Sequence, residues 1–186
     1  MTTRVLVTVA LFGALAAVLM MTISVPIMPT APFLKFDPSD AVAMISAAVL
    51  GPGGGVAVVA LKNALVFMIR GANPLGLLMN LAGSGTLIWT VGRVYQGRPS
   101  LWGLMAGGVA GAVAAALVMV PANLLMVPVI HGIPRETVAS MLLPAYIPFN
   151  LLKGLLSTAL ATPLHVVLAP FVTGRRRAIR ERRALP

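Results

Sequence analysis

The sequence predicts an all-α integral membrane protein with six transmembrane helices, on three observations. Of its 186 residues, 59% are hydrophobic and 10% charged, and the mean hydropathy is +0.97, a balance that soluble domains rarely have. The apolar residues fall in long runs, separated by short clusters rich in proline, glycine and charge. Once short loops are subtracted, one domain of this length has room for at most about six helices of ~20 residues.

The first helix is expected over 4–26. That stretch is too long for the usual signal-peptide core and has no convincing cleavage site near its end, so it is read as a retained span. Residues 26–40 carry four prolines with Lys35, Asp37 and Asp40, and proline density ends the helix there. Two apolar pieces follow, 40–50 and 53–70, around Gly51-Pro52-Gly53-Gly54-Gly55. They fit one broken crossing or a tight pair of short helices. Helix interiors disfavour glycine and proline, so a turn between two helices is the expected form.

A fourth helix is expected over 75–96, followed by a short polar connection that includes Arg98, and a fifth over 101–130. Thirty residues exceed the hydrocarbon thickness even with tilt, so Pro121 and Pro128 are expected to bend or end this helix near one face. A loop with Arg135 and Glu136 leads to the sixth helix, 144–172, which Pro163 should kink. Residues 173–186 form a basic tail.

Charge orients the chain. The net charge is +10, and six of the fourteen basic residues are Arg175, Arg176, Arg177, Arg180, Arg182 and Arg183. Arginines directly after an apolar span suit a cytoplasmic anchor against anionic membrane lipid, and no aromatic interleaving or binding motif suggests nucleic acid. With both termini cytoplasmic, the inside receives nine basic residues and the outside three, Lys35, Arg70 and Arg135. A multi-pass cell-membrane protein is expected. The absence of cysteine excludes disulfides, thiolate metal sites and a cysteine nucleophile.

The chemistry must come from the polar residues within or beside apolar spans: Lys62, Asn63, Asn80, Asn123, Asn150 and Lys153. Asn150 and Lys153 are three apart on the sixth helix, so both side chains can reach one cavity. Asparagine offers an acceptor and two donors, lysine donors and charge. Together they suit a neutral ring bearing carbonyl oxygens and ring N–H groups. The plainer alternatives are a lysine snorkelling to the headgroups and asparagines that bond between helices. Counting from 144, however, Lys153 lies ~15 Å down the helix, near mid-membrane.

Lys62 can pair with an acidic loop residue or a helix end, and Asp40 or Ser39 suits the cap of the helix that begins near Ala41. Asn80 with Gly76, Ala82, Gly83 and Gly85 should let the fourth helix pack closely. No catalytic set is visible. His131 and His165 lack nearby Asp, Glu or Cys, and the glycine-rich turn lacks the Gly-Lys-Ser/Thr ending of a phosphate loop.

Four motifs occur in order: Pro32-Phe33-Leu34-Lys35-Phe36-Asp37-Pro38-Ser39-Asp40, Leu50-Gly51-Pro52, Leu61-Lys62-Asn63 and Pro148-Phe149-Asn150-Leu151-Leu152-Lys153-Gly154. With Asn80 and Asn123 between them, the chain resembles the riboflavin-binding S component of energy-coupling factor (ECF) vitamin transporters. That resemblance implies a six-helix, S-component-like fold that captures riboflavin from outside. It also implies docking onto a transmembrane coupling subunit driven by two cytoplasmic ATPases, with no enzymatic activity of its own and no cofactor besides the transported vitamin. Carried onto this sequence, the resemblance makes Asn150 and Lys153 the leading ring contacts and Asn123 the next. Phe33 and Leu34 become covering contacts, and Asn80 joins the candidate site.

On the first helix, Ala10, Gly13, Ala14 and Ala17 have the spacing that permits close helix contact. The resemblance implies that the coupling subunit docks there; packing within the protein itself is the alternative. For the whole chain, the competing readings are an S component for another vitamin, such as pantothenate or thiamin, and a membrane scaffold that transports nothing.

Overall fold

The computed structural model describes the backbone of residues 3–184 and the side chains through residue 168. The six tail arginines therefore lie outside the described side chains. Helix α1 spans Thr3–Thr22, α2 Ser39–Leu50, α3 Pro52–Arg70, α4 Pro74–Gly97, α5 Leu101–His131, α6 Arg135–Met141 and α7 Ile147–Ala184. Between α1 and α2, β1 (Val25–Pro26) and β2 (Lys35–Phe36) form a small antiparallel hairpin, with Val25 opposite Phe36.

The chain is a multi-pass membrane protein. Five helical stretches are long and apolar enough to cross a bilayer: α1, α3, α4, α5 and the rod from Arg135 to Leu168. The sixth, α2, has 12 residues, or ~18 Å at the rise of an α-helix, and spans only part of a ~30 Å hydrocarbon core. It is the central element. Its residues from Ser39 to Ala48 are all buried, surrounded by α1, α3, α4 and α7.

Local sequence sets most of the boundaries. Gly51 joins α2 to α3 with φ +88°, a conformation open to glycine but strained for other residues, and Pro52 starts α3 where a missing N–H costs nothing. Asn73 caps α4 by accepting from the backbone N–H of Leu75 at 2.9 Å, and Ser100 caps α5 by accepting from Gly103 at 3.1 Å.

Three expectations are corrected. Pro121 and Pro128 do not end helix α5, which continues through both to His131. The sixth span does not begin at Pro144: the helix α6 passes through a π-helical turn, Leu142–Tyr146, into α7. Pro144 and Pro148 both lack the N–H of a regular ladder, and the wider turn relieves that mismatch. Finally, Asp40 and Ser39 do not cap α2 through their side chains. Asp37 instead accepts from the Ser39 backbone N–H at 3.1 Å and from its hydroxyl.

The closest packing lies on α5. A Cβ on Gly111 would stand 2.8 Å from the Leu87 carbonyl oxygen of α4, and one on Gly108 would overlap Thr158 of α7. From α7, a Cβ on Gly154 would meet Ala112 Cβ at 2.5 Å. Two stripes of small residues on α5 therefore bring its neighbours in on both sides. On α4 the tight glycine is Gly92, against Pro52, whereas Gly76 and Gly85 have no close neighbours.

Gly111→Val should lower the unfolding free energy in detergent by about 1–3 kcal/mol through overpacking. Gly53→Ala, where nothing lies within 4 Å of an added Cβ, should leave stability unchanged or slightly raised. Parallel thermal unfolding of the two variants checks the contrast.

Candidate ligand-binding cavity

Asp40 organises the polar interior. It begins the first turn of α2 with no exposed surface, and such a carboxylate needs compensation in an apolar bundle. Lys62 of α3 supplies it, donating to Asp40 Oδ1 at 2.6 Å and to Ser39 Oγ at 2.6 Å. Ser84 of α4 donates its hydroxyl to Asp40 Oδ2 at 2.7 Å. Lys153 of α7 lies 3.2 Å from the same oxygen and 3.9 Å from Asp37 Oδ2. Two lysines thus meet two carboxylates. Lys62 and Ser84 each lie ten residues into their helices, ~15 Å from the end, so the cluster sits at mid-depth.

Above the cluster opens a cavity of ≈ 190 Å³. Lys62 is sealed beneath it, but the Lys153 side chain keeps 12% of its surface and reaches the cavity wall. The structure brings six sequence-derived candidates together here: Phe33, Leu34, Asn80, Asn123, Asn150 and Lys153 all line this space. Asn123 Nδ2 donates to the Met119 carbonyl at 2.7 Å, and Asn150 Nδ2 to the Tyr146 carbonyl at 2.8 Å. Each amide is tethered to its own helix, which leaves its oxygen and second N–H for a guest.

Asn80 lines the same wall from α4. Its carbonyl oxygen is buried and takes no hydrogen bond. Leaving such an acceptor without a donor costs about 1–3 kcal/mol. Gly83 opens the wall beside it: a Cβ there would lie 3.1 Å from Met119 Sδ and 4.0 Å from Asn150 Oδ1.

The connection from α1 closes the end of the cavity away from Asp40. Phe33 stacks on His131 at the end of α5, with ring centroids 4.5 Å apart, and meets Tyr146 at 6.2 Å with its ring tilted. His131 therefore has an aromatic partner at the mouth. His165 lies well away, its Nε2 2.8 Å from the Tyr95 hydroxyl and both side chains buried.

Residue reasoning missed Asp40, Ser84, Met79, Met119 and His131 as cavity residues. Asp40 carried a signal, as a carboxylate beside a wholly apolar run, but its position at a helix start suggested a cap instead. The others look like ordinary helix residues until the helices are assembled. The small residues of α1 divide between two faces: Gly13 packs on Leu61 and Ala17 is buried, while Ala10 and Ala14 face outward.

Helices long enough to cross a bilayer, around a cavity with a charged floor and an aromatic cover, define a membrane protein that holds a small polar-edged molecule. The family model for the ECF transporter, substrate-specific component, matches residues 4–165, and the chain belongs to that family. It is 27% identical over 188 residues to riboflavin transporter FmnP of Bacillus subtilis (strain 168), covering 96% of this chain and 98% of that protein. It is 24% identical to riboflavin transporter RibU of Staphylococcus aureus (strain TCH60), covering 90% and 91%. A solved structure described as the S component of a bacterial ECF transporter superposes with a TM-score of 0.76 at 25% identity, covering 90% of this chain and 96% of that one.

Removing one partner of a buried ion pair costs ~3–5 kcal/mol when the remaining charge is orphaned. Asp40 would retain Lys153 and Ser84, so Lys62→Met should cost about 1–3 kcal/mol instead. Thermal unfolding of the detergent-solubilised variant against wild type measures it.

Proposed function

We propose that this chain is the riboflavin-capturing subunit of an ECF transporter. It takes the vitamin from outside and delivers it inward with a transmembrane coupling subunit and two cytoplasmic ATPases. The observation that carries the reading is the convergence of Asn80, Asn123, Asn150 and Lys153 on one cavity. The likeness to riboflavin transporters over nearly the whole chain supports the same ligand.

The chemistry fits a flavin ring. Its pyrimidine edge alternates carbonyl oxygens with a ring N–H, and an asparagine amide can donate to a carbonyl and accept from the N–H. Asn150 suits that exchange, and Lys153 adds a charge-assisted donor to a ring carbonyl. Asn80 adds a third amide to the same lining. Phe33, Met79 and Met119 provide polarizable walls for a flat ring. The site binds and releases without a nucleophile or proton relay, so ATP hydrolysis belongs to the partner subunits.

Orientation follows the basic residues, with both termini cytoplasmic and the aromatic mouth outside. The outward pair Ala10 and Ala14 suits close approach by a partner helix. On the same helix, Gly13 and Ala17 serve internal packing.

Purified protein should bind riboflavin, and Asn150→Ala or Lys153→Ala should weaken binding at least about tenfold, the effect of losing ~1.4 kcal/mol. Fluorescence titration with riboflavin checks this. Wild-type protein that ignores riboflavin and carries a different small molecule by mass spectrometry would sink the assignment. Ala14→Leu should abolish vitamin uptake by cells while leaving binding in detergent intact; loss of binding would instead assign Ala14 to internal packing.

A further inference from the structure

Among the residues around the cavity floor, Asp40 has no assigned part in ligand handling, although two of the three ion pairs there converge on it. It is wholly buried, accepts from Lys62, Ser84 and Lys153, and reaches three helices from the start of a fourth. Lys62 is fully buried and bonded to both Asp40 and Ser39, so it does not face a guest. Lys153 differs. Its firm contact is the one to Asp40 at 3.2 Å, since Ser84 Oγ is 3.4 Å away and Asp37 Oδ2 3.9 Å. A lysine has three donors on a flexible four-carbon stem, and one strong anchor leaves the others able to turn toward the cavity.

We propose that Asp40 is the positioning residue of the pocket, fixing the Lys153 ammonium so that a free N–H meets a ligand carbonyl. This rests on the riboflavin reading above. Lys62 has a separate task. It bonds Asp40 Oδ1 and Ser39 Oγ from beneath the cavity and ties α3 to the start of α2. The two partners of the 2.6 Å ion pair are thus unequal: Asp40 acts on the ligand through Lys153, whereas Lys62 acts on stability alone.

Asp40→Asn and Lys62→Met separate these roles, because both break the same ion pair but only the first removes the anchor of Lys153. Riboflavin titration should show at least a tenfold loss for Asp40→Asn and less than a threefold change for Lys62→Met. The visible absorption of bound riboflavin should shift in Asp40→Asn and stay at its wild-type position in Lys62→Met, since only the first changes the donor at the ring. If Asp40→Asn does not accumulate as folded protein, Ser84→Ala removes one donor to the same carboxylate oxygen. That variant should weaken binding by an intermediate factor with a shift in the same direction.

Wild-type affinity and spectrum in Asp40→Asn would overturn the proposal. Equal losses in Asp40→Asn and Lys62→Met with unshifted spectra would do so too, leaving the ion pair as an interhelical tether. Failure of the wild-type chain to bind riboflavin would instead overturn the vitamin assignment beneath it.

Discussion

The fold is organised around the need to compensate one carboxylate in a place without water. Asp40 has no exposed surface, and an isolated charge in an apolar interior costs too much to persist. Its partners come from three different helices, and the geometry that satisfies it also sets how α2, α3, α4 and α7 stand to one another. A hydrophobic pair at these positions would pack without any such requirement on register. The charged solution fixes the helices and leaves one ammonium at the edge of a cavity.

Close approach of the helices makes that geometry reachable. Lipid tails are as apolar as leucine, so apolar side chains alone give helices little reason to associate in a membrane, and packing contacts decide. Gly111 lies on the α4 backbone and Gly108 under Thr158 of α7. The same two neighbours carry Asn80, Ser84, Asn150 and Lys153. A wider α5 interface would move these groups apart. Helix α2 contributes in the opposite way: it begins only at Ser39 and runs for 12 residues away from the cavity, which leaves the bundle centre beyond Asp40 open.

The connection between α1 and α2 fills part of that opening. An antiparallel pair of two-residue strands turns the chain back, Asp37 accepts from Ser39 at the start of α2, and Phe33 is held between His131 and Tyr146. One segment therefore supplies the cover of the cavity and a carboxylate 3.9 Å from Lys153 at its floor. Cover and floor are linked by only a few residues of backbone.

The sequence by itself determined the membrane setting, the helices, the turn at Gly51 and four of the polar residues that line the cavity, Asn80, Asn123, Asn150 and Lys153. Each of these depends on local composition or on motifs short enough to read along the chain. Asn150 and Lys153 were legible because two polar side chains three residues apart stand out in an apolar segment. The partner of Lys62 was legible only as a class, an acid or a helix end. Only the tertiary structure decided that Asp40 serves this lysine and not the cap of α2, because the three donors that claim it are 22, 44 and 113 residues away in sequence. It also decided that α5 survives two prolines and that a π-helical turn precedes Asn150. Packing and side-chain partners across helices set those outcomes, and neither has a local signature.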